Sequence, residues 1–156
     1  WNPNVTAQGW RYHMSDIMAA IGRVQLKNFA YHRSRRQLLA KEYCSKLSQE
    51  PLVGLFQHDY DNVVPHIFVV ILDSTMDRTK LIDVLSESGI PTGIHYKPNH
   101  LLSFFKQQGM APLPITDEYS TRLLTLPLHP ELTIEEVRVI VTRLKEVLRN
   151  VDQRNS

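Results

Sequence analysis

The most regular alternation of apolar and polar positions lies near the C-terminal end. Thr133-Ile134-Glu135-Glu136 sets a Thr and a Glu three residues apart, the spacing of a capping box, and Val137, Ile140, Val141, Leu144 and Leu148 follow on one helical stripe. An amphipathic helix is predicted there, with a polar tail, residues 151–156, expected to fray. Toward the other end, Ser15 is an N-cap candidate with Asp16 in the first turn, and Ile17, Ile21 and Val24 recur at i, i+4 and i+7. Apolar spacing returns at Leu39, Tyr43 and Leu47 before Pro51 forbids continuation. Residues 15–49 therefore read as one long helix, or as two with a bend between Asn28 and Ser34.

Between these ends the signals are shorter. Val63 to Leu72, rich in β-branched and aromatic residues with Pro65 near its start, predicts a buried strand. Asp77 to Ser88 has Leu81, Ile82 and Leu85 at helical spacing and stops at Gly89, with Pro91 just beyond. Thr92 to Tyr96 is predicted as a short strand, Leu101 to Gln107 as a turn of helix, Thr116 to Leu124 as a brief helix capped by Thr116, and Leu126-Pro127-Leu128 as a short extended segment. The order is that of an α/β domain: a small sheet flanked by helices, with a long N-terminal helix.

Composition narrows the function classes. The 156 residues are 42% hydrophobic and 22% charged, which is one ordinary globular domain rather than a disordered or low-complexity chain. Eighteen Lys plus Arg against 16 Asp plus Glu give a net charge of +2, too small to draw a polyanion, so no nucleic acid partner is expected. The lone Cys44 allows no internal disulfide and fits a reducing, cytoplasmic compartment. The longest apolar run, Ile67 to Leu72, is far below the ~20 residues of a membrane span. The opening Trp1-Asn2-Pro3-Asn4 has no initiator Met, so the chain is expected to be a piece of something longer.

Three constellations carry candidate chemistry. His95-Tyr96-Lys97-Pro98-Asn99-His100 packs donors into a predicted strand end and loop, able either to grip a polar substrate or merely to bond locally. Pro98 keeps the two imidazoles off a common helical face and no carboxylate or thiolate lies between them, so no metal is expected there. Gly9 to Ser15, with Trp10, Arg11 and Tyr12 just before a helix N-terminus, suits a phosphate or a packed cap. Arg33, Arg35 and Arg36, with Lys41 a turn on, suit a diphosphate but read more readily as a solvated face. Only Lys97 among the seven lysines sits beside other candidate groups, and no residue is assigned as catalytic.

Taken in order, Gly9-Trp10-Arg11-Tyr12-His13-Met14-Ser15 with Ala19-Ala20-Ile21-Gly22 and Gln25-Leu26, Gly89-Ile90-Pro91-Thr92 leading to His95-Tyr96-Lys97-Pro98-Asn99-His100, and Leu126-Pro127-Leu128-His129-Pro130 resemble the C-terminal third of the DegT/StrS-type sugar aminotransferases. The resemblance spans residues 9 to about 148. It implies the small C-terminal domain of a fold-type I, pyridoxal-phosphate-dependent homodimer that moves an amino group from glutamate to a keto sugar on a nucleotide diphosphate. It further implies residues 1–14 as an inter-domain or dimer-contact segment, 15–150 as the small domain, and a cofactor lysine, pyridine-pairing acid and ring-stacking aromatic in a larger N-terminal domain. Without these, the chain alone is expected to be inactive.

In the family, the segment matching Gly9 to Ser15 presents an Asn to the neighbouring subunit's cofactor phosphate. Here Arg11 occupies that place, and His13 stands where Arg is common. Arg11 is thus the implied cofactor-binding residue, and His95, Tyr96 and His100 the implied substrate-binding ones. Two alternatives remain open at this stage: a sugar dehydratase on the same scaffold, and a free-standing, non-catalytic binding or regulatory module. A domain separated from its partner is expected to expose an apolar face around Trp10, Tyr12, Ile17 and Ile21.

Overall fold

The computed structural model describes residues 4, 6–10, 12–105 and 111–152. The chain forms two compact units, Trp1–His32 and Arg33–Ser156. In the first, helix α1 (Asp16–Leu47) begins where Ser15 Oγ accepts from the Met18 amide at 3.3 Å, the bond expected of an N-cap. Within this unit Trp10, Tyr12, Ile17, Ile21, Val24, Leu26 and Phe29 are all exposed. A continuous helix accounts for residues 16–47, so the sequence alternative of two helices is not needed.

The second unit is built on a three-stranded antiparallel sheet in the order β1 (Val53–Leu55), β2 (Phe68–Leu72), β3 (Leu123–Leu126). Val53 pairs with Leu72, Phe68 with Leu126 and Val70 with Leu124. Because side chains alternate along a strand, Phe68, Val70 and Leu72 share one buried face with Leu124 and Leu126. Against this core lie Leu39, Ala40, Tyr43 and Leu47 of α1 and Val137, Val141, Leu144 and Leu148 of helix α4 (Ile134–Asp152). Helix α2 (Arg78–Glu87) packs on α4 and contributes Leu81 and Leu85.

The local signals that set these helices are the ones spacing exposed. Asp77 accepts from the amides of Thr79 and Lys80 at the start of α2. At its end Gly89 adopts φ 74°, and Gly89 and Ile90 donate to the carbonyls of Ser86 and Leu85, a Schellman closure. The capping box is formed: Glu136 N–H donates to Thr133 Oγ1 at 3.1 Å, and Thr133 N–H donates to Glu136 Oε2 at 2.7 Å.

Several expected bounds move. The strand predicted for Val63–Leu72 is β2 alone. Carbonyls of Val63, Pro65 and His66 accept from Gln37 and Arg36 of α1, so this stretch is satisfied by side chains instead of a ladder. The strand predicted for Thr92–Tyr96 reduces to one bridge, Gly93 to Thr125; before Gly93 the next hydrogen-bonded rung would set Pro91 opposite Pro127, and neither has an N–H to give. Thr116 does not cap a helix. Helix α3 is Pro114–Arg122, with Pro114 in its first turn and no side-chain cap, and Leu123 and Leu124, expected to be helical, belong to β3. Arg78 donates to the carbonyls of Ser120 and Leu123 and so occupies the acceptors at that helix end. Extended structure expected at 126–128 thus sits at 123–126; of the helical turn expected at 101–107, residues 106 and 107 lie outside the described residues, and a 3-10 turn is formed at Asn99–Leu101. Of the expected frayed tail, α4 reaches Asp152, and 153–156 lie outside the described residues.

Two predictions follow from the packing and the caps. Tyr43 is fully buried, stacks on Phe68 with centroids 4.6 Å apart, and donates to the Pro127 carbonyl at 2.9 Å. Tyr43→Phe keeps the ring and orphans that acceptor, so a loss of about 1–3 kcal/mol is expected, read as a lower urea midpoint at unchanged slope. Asp59, Asp73, Asp77 and Glu136 are held below the usual carboxylate range, chiefly by hydrogen bonds from Asn62 and from the amides of Thr75, Lys80 and Thr133 respectively. Their stabilisation is complete above the unfolded carboxylate values near ~4 and is lost as pH falls through the lower folded ones. Asp77→Asn, which still caps but does not titrate, is expected to flatten the acid limb of a stability-against-pH profile.

Candidate functional site

The bridge between Gly93 and Thr125 delivers the donor-rich loop to the sheet edge. Gly93 N–H donates to Thr125 O at 3.0 Å and Thr125 N–H to Gly93 O at 2.8 Å. Two residues on, His95 Nδ1 lies 2.9 Å from Thr125 Oγ1. Thr125 pairs with Val69 across β2, on the sheet face opposite Phe68 and Val70. The imidazole is thereby laid against the face of the sheet that α1 and α4 do not cover.

There a cavity of about 350 Å³ opens between Ile67, Val69 and Leu123 of the sheet side, His95, and the rings of Phe56, His58 and Tyr60. Those three rings come from the segment just after β1 and touch in succession: Phe56 and His58 are stacked at 6.0 Å, and His58 meets Tyr60 edge-on at 5.8 Å. Burial pushes the Tyr60 phenol above its ordinary value, and burial likewise raises the neighbouring Cys44 thiol, so both stay protonated at neutral pH. The cavity therefore offers two imidazoles on apolar and aromatic walls, while the Tyr60 hydroxyl is engaged by Cys44.

Of the three substrate-side candidates, the structure brings only His95 to this cavity. Tyr96 is 72% exposed, its ring edge-on to His95 at 4.8 Å. His100 turns to α3, where its Nε2 meets Asp117 Oδ1 at 2.7 Å. Arg11 lies outside the described residues. Sequence reasoning missed Phe56, His58 and Tyr60 altogether, although their i, i+2, i+4 spacing is a legible ladder of rings on one side of an extended segment.

The basic run divides: Arg33 and Lys41 stay on the exposed face as the solvated reading expects, while Arg35 and Arg36 are turned to backbone. Arg35 donates to the carbonyls of Pro130 and Leu132, and Arg36 to those of His66 and Leu128 at 2.9 and 3.2 Å. Lys41 is paired with Asp61. Among the described residues no three His, Cys, Asp or Glu side chains converge as metal ligands, and no helix is long and apolar enough to cross a membrane. A pyridoxal phosphate site needs an amine to bind the aldehyde and an acid for the ring nitrogen. The cavity walls contain neither Lys nor Asp nor Glu, and Lys97 is on the exposed loop. The described residues thus do not make up such a site by themselves.

The sequence matches the DegT/DnrJ/EryC1/StrS aminotransferase family over residues 2–145, and the chain belongs to that family. Its fold is similar to a Streptococcus pneumoniae protein described as a sugar aminotransferase, solved in apo, PMP and PLP forms; in the apo form the TM-score is 0.85 at 27% identity over 96% of this chain. It is also similar to S. venezuelae DesV, solved with a ketimine intermediate, with a TM-score of 0.81 at 27% identity over 91% of this chain. Helicobacter pylori PseC, at 21% identity and a TM-score of 0.78, shares the fold. The chain spans 39% of the length of the S. pneumoniae protein and 38% of DesV.

The pairing of His100 with Asp117 ties the 3-10 turn to α3. Asp117→Asn is expected to leave global stability within about 1 kcal/mol. Hydrogen exchange should speed up at the amides of Leu101, Leu102 and Phe105, which close the turns of this loop, with the α4 amides unchanged.

Proposed function

We propose that the chain is the small C-terminal part of a pyridoxal-phosphate-dependent enzyme that moves an amino group from glutamate to a keto sugar carried on a nucleotide diphosphate. The observation that carries this reading is a family match over 144 of 156 residues, on a fold shared with sugar aminotransferases more than twice as long. The cofactor, when bound, supplies the electron sink for amino transfer; its lysine and its acid come from outside the residues described here. This chain's own part is to line the sugar side. His95 borders the cavity, the exposed Tyr96 stands edge-on beside it, and His100 anchors the loop that carries both. Arg11 is placed on the phosphate of a neighbouring subunit's cofactor in a homodimer. The single cysteine supports a reducing, cytoplasmic setting.

The exposed apolar side chains of residues 10–29 favour this reading over a free-standing module, because a surface so rich in large apolar groups is ordinarily covered. The test is to purify the protein from its own cell, reduce it with borohydride, and determine its mass and the site of any pyridoxyl group. A longer polypeptide, or a tightly held partner, carrying pyridoxyl on a lysine outside this sequence is expected. A native 18.1 kDa chain that binds no such partner, or pyridoxyl on a lysine of this chain, would overturn the proposal.

A further inference from the structure

Thr125 is one of the few polar residues buried among the described residues, 7% exposed, and its side chain faces an imidazole. A threonine hydroxyl has one proton, and a buried one needs an acceptor. Among the described residues the hydrogen bond of Thr125 Oγ1 is the one to His95 Nδ1. The opposite polarity, Nδ1–H donating to the hydroxyl, strands the threonine proton inside the protein. The satisfied arrangement is Oγ1–H donating to Nδ1, which requires the neutral ring to carry its own proton on Nε2.

Gly93 holds the same ring from below. A Cβ at this position would lie 2.8 Å from His95 Cε1 and 3.3 Å from Nδ1, closer than side chains pack. Gly93 is not in the left-handed region, so its backbone suits any residue and the constraint is the imidazole alone. One residue gives up its side chain to seat the ring, and another gives its hydroxyl proton to fix the tautomer.

We propose that Gly93 and Thr125 are positioning residues that set His95 as a fixed Nε2–H donor to the cavity beside β3. The group His95 meets there is consequently a hydrogen-bond acceptor, a hydroxyl, carbonyl or anionic oxygen, on a ligand whose ring lies against Phe56 and Tyr60. His95 orients that oxygen and does not take a proton from it. Only the identity of the ligand as a sugar rests on the reading given above; the tautomer does not.

The test uses the 156-residue chain labelled with ¹⁵N-histidine, at a pH well above the ordinary histidine value of ~6.5. Long-range proton–nitrogen correlation reports which nitrogen is protonated, and His95→Gln identifies the His95 signals. Wild type and Thr125→Ser, which keeps the hydroxyl, are expected to show a single Nε2–H tautomer. Thr125→Val and Gly93→Ala are expected to lose it for the averaged signals of a mobile ring, with unchanged circular dichroism. An Nδ1–H tautomer in the wild type overturns the proposal, whatever the variants do, and so does a wild-type pattern retained in both Thr125→Val and Gly93→Ala. No cofactor or sugar enters the measurement. Loss of the aminotransferase reading would leave the positioning intact, and an Nδ1–H ring in an active enzyme would sink the positioning alone.

Discussion

The second unit depends on how the C-terminal half of α1 satisfies backbone that has no ladder of its own. Gln37 and Arg36 reach the carbonyls of Val63 and His66 on one side, while Arg36, Arg35 and Tyr43 reach those of Leu128, Pro130 and Pro127 on the other. Both segments flank strands of the sheet; Val63 and His66 lie at the surface, whereas the bonds to Pro127, Leu128 and Pro130 are half-buried, and leaving one of these carbonyls without a donor would cost about 1–3 kcal/mol. Guanidinium groups suit the task because one side chain presents five donors in a fixed fork and can serve two crossing strands of chain at once.

That arrangement leaves one face of the sheet to the helices and the other to chemistry. The buried face is filled by apolar side chains in register across three strands. The opposite face is bordered by rings and by His95, brought in by a single bridge at Gly93. Pro91 and Pro127 keep this bridge from lengthening on the side before Gly93, since neither has an N–H to give.

The family assignment and the local geometry speak to different parts of the function. Membership places the chain in an aminotransferase family, while the cavity has neither amine nor acid on its walls. The two agree if reactive groups and the sugar-facing wall are contributed by different parts of the enzyme. The first unit, with Ile17, Ile21, Val24 and Phe29 exposed along α1, fits a chain made to be covered by further protein.

The ends of α1, α2 and α4 were largely written in the sequence, because a cap, a left-handed glycine and a 3.6-residue stripe are local events that a few neighbouring residues decide: Ser15, Gly89 and the Thr133–Glu136 box act as their spacing says, whereas Thr116 does not cap α3. The ordered motifs likewise carried the family. Strand bounds were not legible. β1 is three residues long, and whether Val63–Ile67 or Leu123–Leu126 pairs depends on which distant side chains take their carbonyls. Nor could spacing show that Arg35 and Arg36 are spent on backbone, that His100 belongs to Asp117, or that His95 belongs with Thr125, thirty residues away. Those pairings exist only once the sheet and α1 have set the distances, since a hydrogen bond is a matter of tenths of an ångström and a sequence contains none.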